Sequence, residues 1–186
     1  MPGRINIVFG FLFLVATAAL GPVMVQNLPQ IGEAQAGKQA AMAPLQLAAD
    51  TGFENAETLE PMTAAEIAQM NAKALLALNK QLNAELPNTA IKGGPHAHGN
   101  LEALLNIVVG IVLMFLAVGR LFKLVISWVF ILGTLLHSGV LYLVVVFELG
   151  WAGTILGTGI GPILLLLGLL LAGVAAAIGW KAPQTQ

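Results

Sequence analysis

Four long apolar runs organise the chain, at residues 5–25, 101–119, 124–147 and 155–179. A helix needs roughly 20 residues to cross a bilayer, and each run is long enough. With their flanks they predict transmembrane helices over residues 1–25, 99–119, 124–147 and 155–180. Between the first and second lies a polar segment, residues 26–98. Its first half is rich in Ala, Gln, Gly and Pro without a strong period, which predicts an extended or loosely helical strap. The second half is periodic. Thr63-Ala64-Ala65-Glu66 is a capping box, in which hydroxyl and carboxylate satisfy free backbone N–H groups. Ile67, Met70, Ala74, Leu75, Leu78, Leu82 and Leu86 follow at helical spacing, and Pro87 is the expected stop. Residues 63–86 therefore predict an amphipathic helix, packed on the membrane ends of the bundle, lying in the interface, or serving as a lid or docking face. The fold class is all-α: an integral membrane four-helix bundle with an extra amphipathic helix in a long outer segment.

The first run resembles a signal peptide, with Arg4 ahead of it and small residues Ala16, Thr17 and Ala18 inside it. The apolar stretch continues past them to Val25, so a retained helix is expected. Arg4, Arg120, Lys123 and Lys181 flank the predicted spans on one face, which the positive-inside rule makes cytoplasmic. Both termini then lie inside, and residues 26–98 lie outside, as in a bacterial inner-membrane protein. Trp128, Trp151 and Trp180 fall near the predicted interfaces.

Composition narrows the class. Charged residues make up 9% of the 186 residues, against about 25% in soluble domains, and mean hydropathy is +0.86. The net charge of −1 argues against a polybasic nucleic-acid binder. The absence of cysteine excludes disulfides, iron–sulfur clusters and thiolate metal sites. Seven of the nine acids sit in the outer segment, so Glu102 is the one carboxylate well inside a span.

The polar residues of the second and third spans carry the chemistry. His98, Glu102 and Asn106 follow at i, i+4 and i+8 on one helix face, with His96 just before them. Thr134, His137, Ser138 and Tyr142 share a broad face of the third span, and Glu148 closes its outer end. At the helical rise, Asn106 lies roughly 12 Å below His98, and His137 roughly 16 Å below the outer end of its span. All of these fall in the outer half of the bilayer, while residues 107–118 carry no polar side chain before the turn. Intramembrane polar groups face a bundle interior, a cavity or a cofactor. Their convergence suggests a pocket open to the outer side, or else a structural polar network. Imidazole suits metals and haem iron. His96 and His98 together offer a copper or zinc pair; His96 is otherwise a loop residue. His98 is the favoured ligand, and His137 is either a second cofactor ligand or a hydrogen-bonded core residue. Glu102 serves as acid or base, or fixes a histidine tautomer. Asn106 and Tyr142 can orient a substrate oxygen. In the fourth span Gly153, Gly157 and Gly161 form a small surface for close helix packing, and Pro162 is placed to bend the helix.

One set of features carries a family likeness: His98-Gly99 with Asn106, Gly139 with Tyr142, and Gly161-Pro162 running to Gly179-Trp180. In these the stretch 95–180 resembles the styrene oxide isomerases, small four-span membrane proteins. The resemblance implies a haem b ligated by His98 and held between protomers of a trimer. It also implies Asn106 and Tyr142 assisting Lewis-acid rearrangement of an epoxide to an aldehyde. Three features depart from the family: a longer His-to-Asn spacing, Glu102, and the long outer segment. The expected function is thus a His-ligated haem or metal pocket, in an isomerase-like enzyme acting on a small apolar substrate and assembled as a homo-oligomer. The alternative is a non-catalytic subunit of a larger membrane complex. Transport is least favoured, because no inverted repeat or inner polar path is visible.

Overall fold

A computed structural model describes residues 2–55 and 58–180. Glu57 and Lys181, used above in the charge pattern, lie outside the described residues. Among the described residues the chain is predominantly helical, with no strand. It divides into two compact units, Met24–Thr89 and the remainder on either side of it.

In the smaller unit the expected strap is a helix, α3 (labelled in chain order), Leu28–Asp50. Its many Ala, Gln, Leu and Met residues are good helix formers, and Pro29 sits in the first turn, where its missing N–H costs nothing. Thr51 and Gly52 end it, the glycine in the left-handed region at φ 68°. Helix α4 spans Ala64–Ile91. Its capping box forms: the Thr63 N–H donates to Glu66 Oε2 at 2.8 Å, and the Glu66 N–H donates to Thr63 Oγ1 at 3.3 Å. Ile67, Met70, Ala74 and Leu78 are shielded, whereas Leu75, Leu82 and Leu86 of the predicted face are exposed.

Helix α4 runs past Pro87, the expected stop. A proline removes one helical bond and does not by itself end a helix whose neighbours hold it. Here Asn88, one residue on, donates to the Met24 carbonyl at 2.9 Å and accepts from Asn27 at 2.8 Å. The break falls instead in the π turn Lys92–His96, at Gly94, whose φ −105° and ψ −114° are not helical. The residue before a proline is biased away from the α region, and Gly94 precedes Pro95.

The larger unit is a helical bundle. It contains α1 (Pro2–Ala18), α5 (Ala97–Phe115), α6 (Arg120–Thr134), α7 (Val140–Phe147), α8 (Gly150–Gly157) and α9 (Ile160–Gly179). The short α2 (Leu20–Gln26) continues from α1 after a break at Ala19. A second π turn, Leu135–Gly139, joins α6 to α7. The predicted fourth span therefore starts later than residue 155. The chain breaks at Gly159, φ 69°, and Thr158 caps both sides by donating to the Ile155 carbonyl at 2.6 Å and accepting from the Ile160 N–H at 3.4 Å. Pro162 then lies in the first turn of α9, where it needs no bend.

Four helical stretches are long and apolar enough to cross a membrane: Pro2–Gln26, Ala64–Phe115, Arg120–Phe147 and Ile160–Gly179. Their apolar side chains face outward and their polar ones inward. Phe11, Leu12, Leu121, Leu166 and Ile178 are exposed, while Asn6, Thr17, Asn106, Ser127, Thr134 and Ser138 are each 0% exposed. In water that distribution would be unfavourable; in a bilayer, polar groups belong inside the bundle.

Helices α1 and α5 run antiparallel in close contact. A Cβ on Gly10 would stand 2.6 Å from the Ala103 carbonyl oxygen, and one on Gly110 2.5 Å from the Gly3 oxygen. Gly99 is packed equally tightly against Thr17. Small residues allow this backbone approach. Helix α9 packs on α6 through Gly168 against Phe130 and through Leu165 against Gly133. Val109, Leu113, Leu116, Ile126, Phe130, Leu165 and Ala175 form an apolar core toward the α5–α6 turn. The polar residues occupy the other end and the α1 contact.

Candidate metal centre

Helix α5 is fixed by its glycine contacts with α1, and this sets the direction of its polar face. His98 and Glu102, one turn apart, both turn toward the π turn that carries His137. The His137 Nδ1 lies 2.5 Å from Glu102 Oε1, with the side chains 18% and 5% exposed. The His98 and His137 rings meet edge to face, with centroids 5.1 Å apart at 67°. One donor atom from each of His98, Glu102 and His137 lies within 4.8 Å of the others. Two imidazoles and a carboxylate so placed can hold one metal ion. Their N and O donors suit zinc, ferrous iron or another divalent transition metal.

Three supports hold the group. Gly161 at the start of α9 lies directly against the π turn, where its added Cβ would meet the His137 nitrogen at 2.5 Å. The π turn itself is a local widening of the helix, a feature common at functional sites. Asn106 anchors the base: it donates to the Glu102 carbonyl at 2.9 Å and to Thr134 Oγ1 at 2.8 Å, and accepts from Asn6 Nδ2 at 3.0 Å. Asn6 also donates to the Ser127 carbonyl at 3.2 Å, and Ser127 Oγ to the Pro2 carbonyl at 3.2 Å. Polar contacts thus continue below Asn106 through α1 and α6, where the expected polar path ended.

The other expected site residues stand elsewhere. His96 is not in the group; its Nδ1 lies 3.0 Å from the Thr17 carbonyl oxygen. A carbonyl only accepts, so that nitrogen carries the hydrogen. Tyr142 packs on Phe147, with ring centroids 5.9 Å apart. Glu148 ends α7 in the left-handed conformation, φ 54°. Among the described residues Gly153 and Gly157 have no neighbour within 4 Å of an added Cβ, so of that stripe Gly161 alone makes a close contact there. Asn6 and Thr17 of the first span are further interior polar groups, both 0% exposed. The available signal was a seven-residue repeat of small residues, Gly3, Gly10 and Thr17, on one face of the first span.

The geometry also bears on haem. A haem iron takes its axial ligands on the faces of a macrocycle. His98 and His137 are in edge-to-face contact at 5.1 Å, so no macrocycle fits between them. A haem on His98 alone would leave Glu102 and His137 outside its ligation. The donor set fits a single non-haem ion.

Comparison with protein-family models, curated proteins and solved structures finds no match. Fold and site together define a helical bundle with four candidate transmembrane helices and a His/Glu group able to hold a metal ion.

Proposed function

We propose that this chain is a membrane metalloprotein whose divalent transition-metal ion is held by His98, Glu102 and His137. The observation that carries the reading is the convergence of these three donors, from two helical segments, within 4.8 Å. The basic residues Arg4, Arg120 and Lys123 support an outer-side position for the centre under the positive-inside rule. Three protein donors leave coordination positions for an exogenous ligand, as catalytic sites do and closed structural sites do not. A bound ion would supply Lewis acidity, and the exposed side of the group, at His98, is where a small ligand would enter. Such an ion would act as a Lewis acid on a small apolar molecule, the chemistry that the isomerase-like resemblance implies. Asn106 is fully engaged within the bundle, so substrate orientation falls to other groups.

The test is metal content. Protein purified in mild detergent should carry about one zinc, iron or copper per chain by elemental analysis, or take up cobalt with a visible spectrum. His98→Ala, His137→Ala and Glu102→Gln should each lose it, and His96→Ala should keep it. A Soret band lost in His98→Ala alone would replace this reading with the haem one. A colourless preparation that takes up no metal would leave the pair Glu102–His137 as structural glue.

A further inference from the structure

Helix α1 has two faces, and the bundle uses one of them. Gly3, Asn6, Gly10 and Thr17 are buried and fall on the same side of the helix. The opposite side carries Arg4, Ile5, Val8, Phe9 and Leu12, which line a furrow of about 460 Å³. Ile5, Val8 and Leu12 are 39%, 50% and 69% exposed, so no other element of the bundle covers it. The Phe9 ring stacks on Phe13, with centroids 5.5 Å apart, which holds its side of the furrow. Arg4 stands at one end. It is exposed, and no carboxylate among the described residues pairs with it.

An apolar furrow with a free guanidinium at its end suits one of two occupants, a second helix or a lipid. Membrane helices associate through small residues that let backbones approach. The small residues of this stretch, Gly3 and Gly10, already face α5, closed against Gly110 and Ala103. The furrow face is made of bulky side chains, which hold a second backbone away and leave a slot for a flexible chain. The length agrees with a lipid. From Arg4 to Leu12 the helix rises roughly 12 Å. That is close to half of the hydrocarbon thickness of about 30 Å, so an acyl chain starting at Arg4 would lie along the furrow within one leaflet. The charge agrees as well, because a guanidinium takes a phosphate through two parallel N–H···O bonds.

We propose that this furrow binds an anionic glycerophospholipid, with its phosphate on Arg4 and one acyl chain along Ile5, Val8, Phe9 and Leu12. Under the positive-inside rule the lipid belongs to the cytoplasmic leaflet, where anionic headgroups meet basic residues. The proposal rests on the membrane part of the reading above and is independent of the metal.

The experiment uses the full chain in mild detergent, titrated with phosphatidylglycerol or phosphatidylcholine of identical acyl chains and followed by native mass spectrometry. Phosphatidylglycerol should bind the parental protein more tightly. Arg4→Ala should weaken it about fivefold and leave phosphatidylcholine unchanged. Lys73→Ala makes the same charge change on exposed α4 and should alter neither. Equal binding of the two lipids by the parental protein overturns the proposal without recourse to any variant, and so does an Arg4→Ala protein that matches Lys73→Ala. A second measurement tests the competing occupant. The chain has no cysteine, so Val8→Cys supplies a single thiol on the furrow. In phosphatidylglycerol vesicles under a mild oxidant it should remain monomeric; a disulfide-linked dimer would assign the face to a second copy and overturn the proposal. A chain that stays dissolved without detergent would remove the membrane reading and this proposal together, whereas a chain that takes up no metal would leave the lipid result standing.

Discussion

Gly161 offers the sharpest test of how the centre is held. Replacing it with Ala places a Cβ 2.5 Å from the His137 nitrogen, 2.6 Å from the Leu136 carbonyl carbon and 2.7 Å from the His137 Cβ. Two of these are backbone atoms, which cannot step aside as a flexible side chain can. Ordinary contact begins at 3.4 Å, so α9 and the π turn must separate by about 1 Å. Overpacking of this kind costs about 1–3 kcal/mol. The gain in helix propensity from Gly to Ala offsets at most about 1 kcal/mol, and less in a first turn. Functional constellations tolerate about 0.5 Å of displacement, so a shift twice that should weaken the metal site. The expected loss is about tenfold or more in cobalt affinity, together with a lower unfolding temperature in detergent. Gly157→Ala is the control: it belongs to the same small-residue stripe, but its Cβ would meet nothing within 4 Å. If Gly161→Ala matched Gly157→Ala in both affinity and unfolding temperature, α9 would not be the support of His137.

Further outcomes follow from single contacts. Asn6 and Asn106 should couple in a double-mutant cycle to Leu by about 0.6 kcal/mol and at most about 1.7, the range for hydrogen bonds between membrane helices; additive single mutants would show that the 3.0 Å bond between them is energetically silent. Either single change also leaves a buried partner unsatisfied, and each should destabilise by about 1–3 kcal/mol in detergent unfolding. The Thr63 hydroxyl and backbone N–H hold the Glu66 carboxyl below its ordinary value of 4.5. A depressed folded value stabilises α4 above pH 4.5, and that contribution is lost as pH falls through the folded value. Helicity followed by circular dichroism should therefore drop on acidification, and Glu66→Gln should remove that part of the titration; an identical acid titration in the two proteins would exclude the cap as its source.

The sequence by itself determined the helical class and the four candidate spans, and it offered a pool of polar residues from which the candidate site is drawn. Runs of about 20 apolar residues can bury their backbone polar groups in lipid only as helices, so four candidate spans were legible before any packing was known. The capping box at Thr63 and Glu66 was legible for the same reason, because its partners are three residues apart. The i, i+4 placement of His98 and Glu102 was a property of one helix and could be read directly. Contacts between helices could not. Periodicity says which residues share a face, but not which helix that face meets. Hence His96 and His98 looked like a pair, although one meets Thr17 and the other meets His137. Pro87 looked like a stop, although the chain breaks at Gly94. Asn106 looked free for a substrate, although Asn6 and Thr134 occupy it. Which glycine of the fourth-span stripe mattered was also undecided, because Gly153, Gly157 and Gly161 are alike until a break at Gly159 separates them. The tertiary structure decided these points through close backbone approach. Where Gly10, Gly110 and Gly161 let helices nearly touch, short polar side chains from different spans reach one another, and a carboxylate and two imidazoles converge.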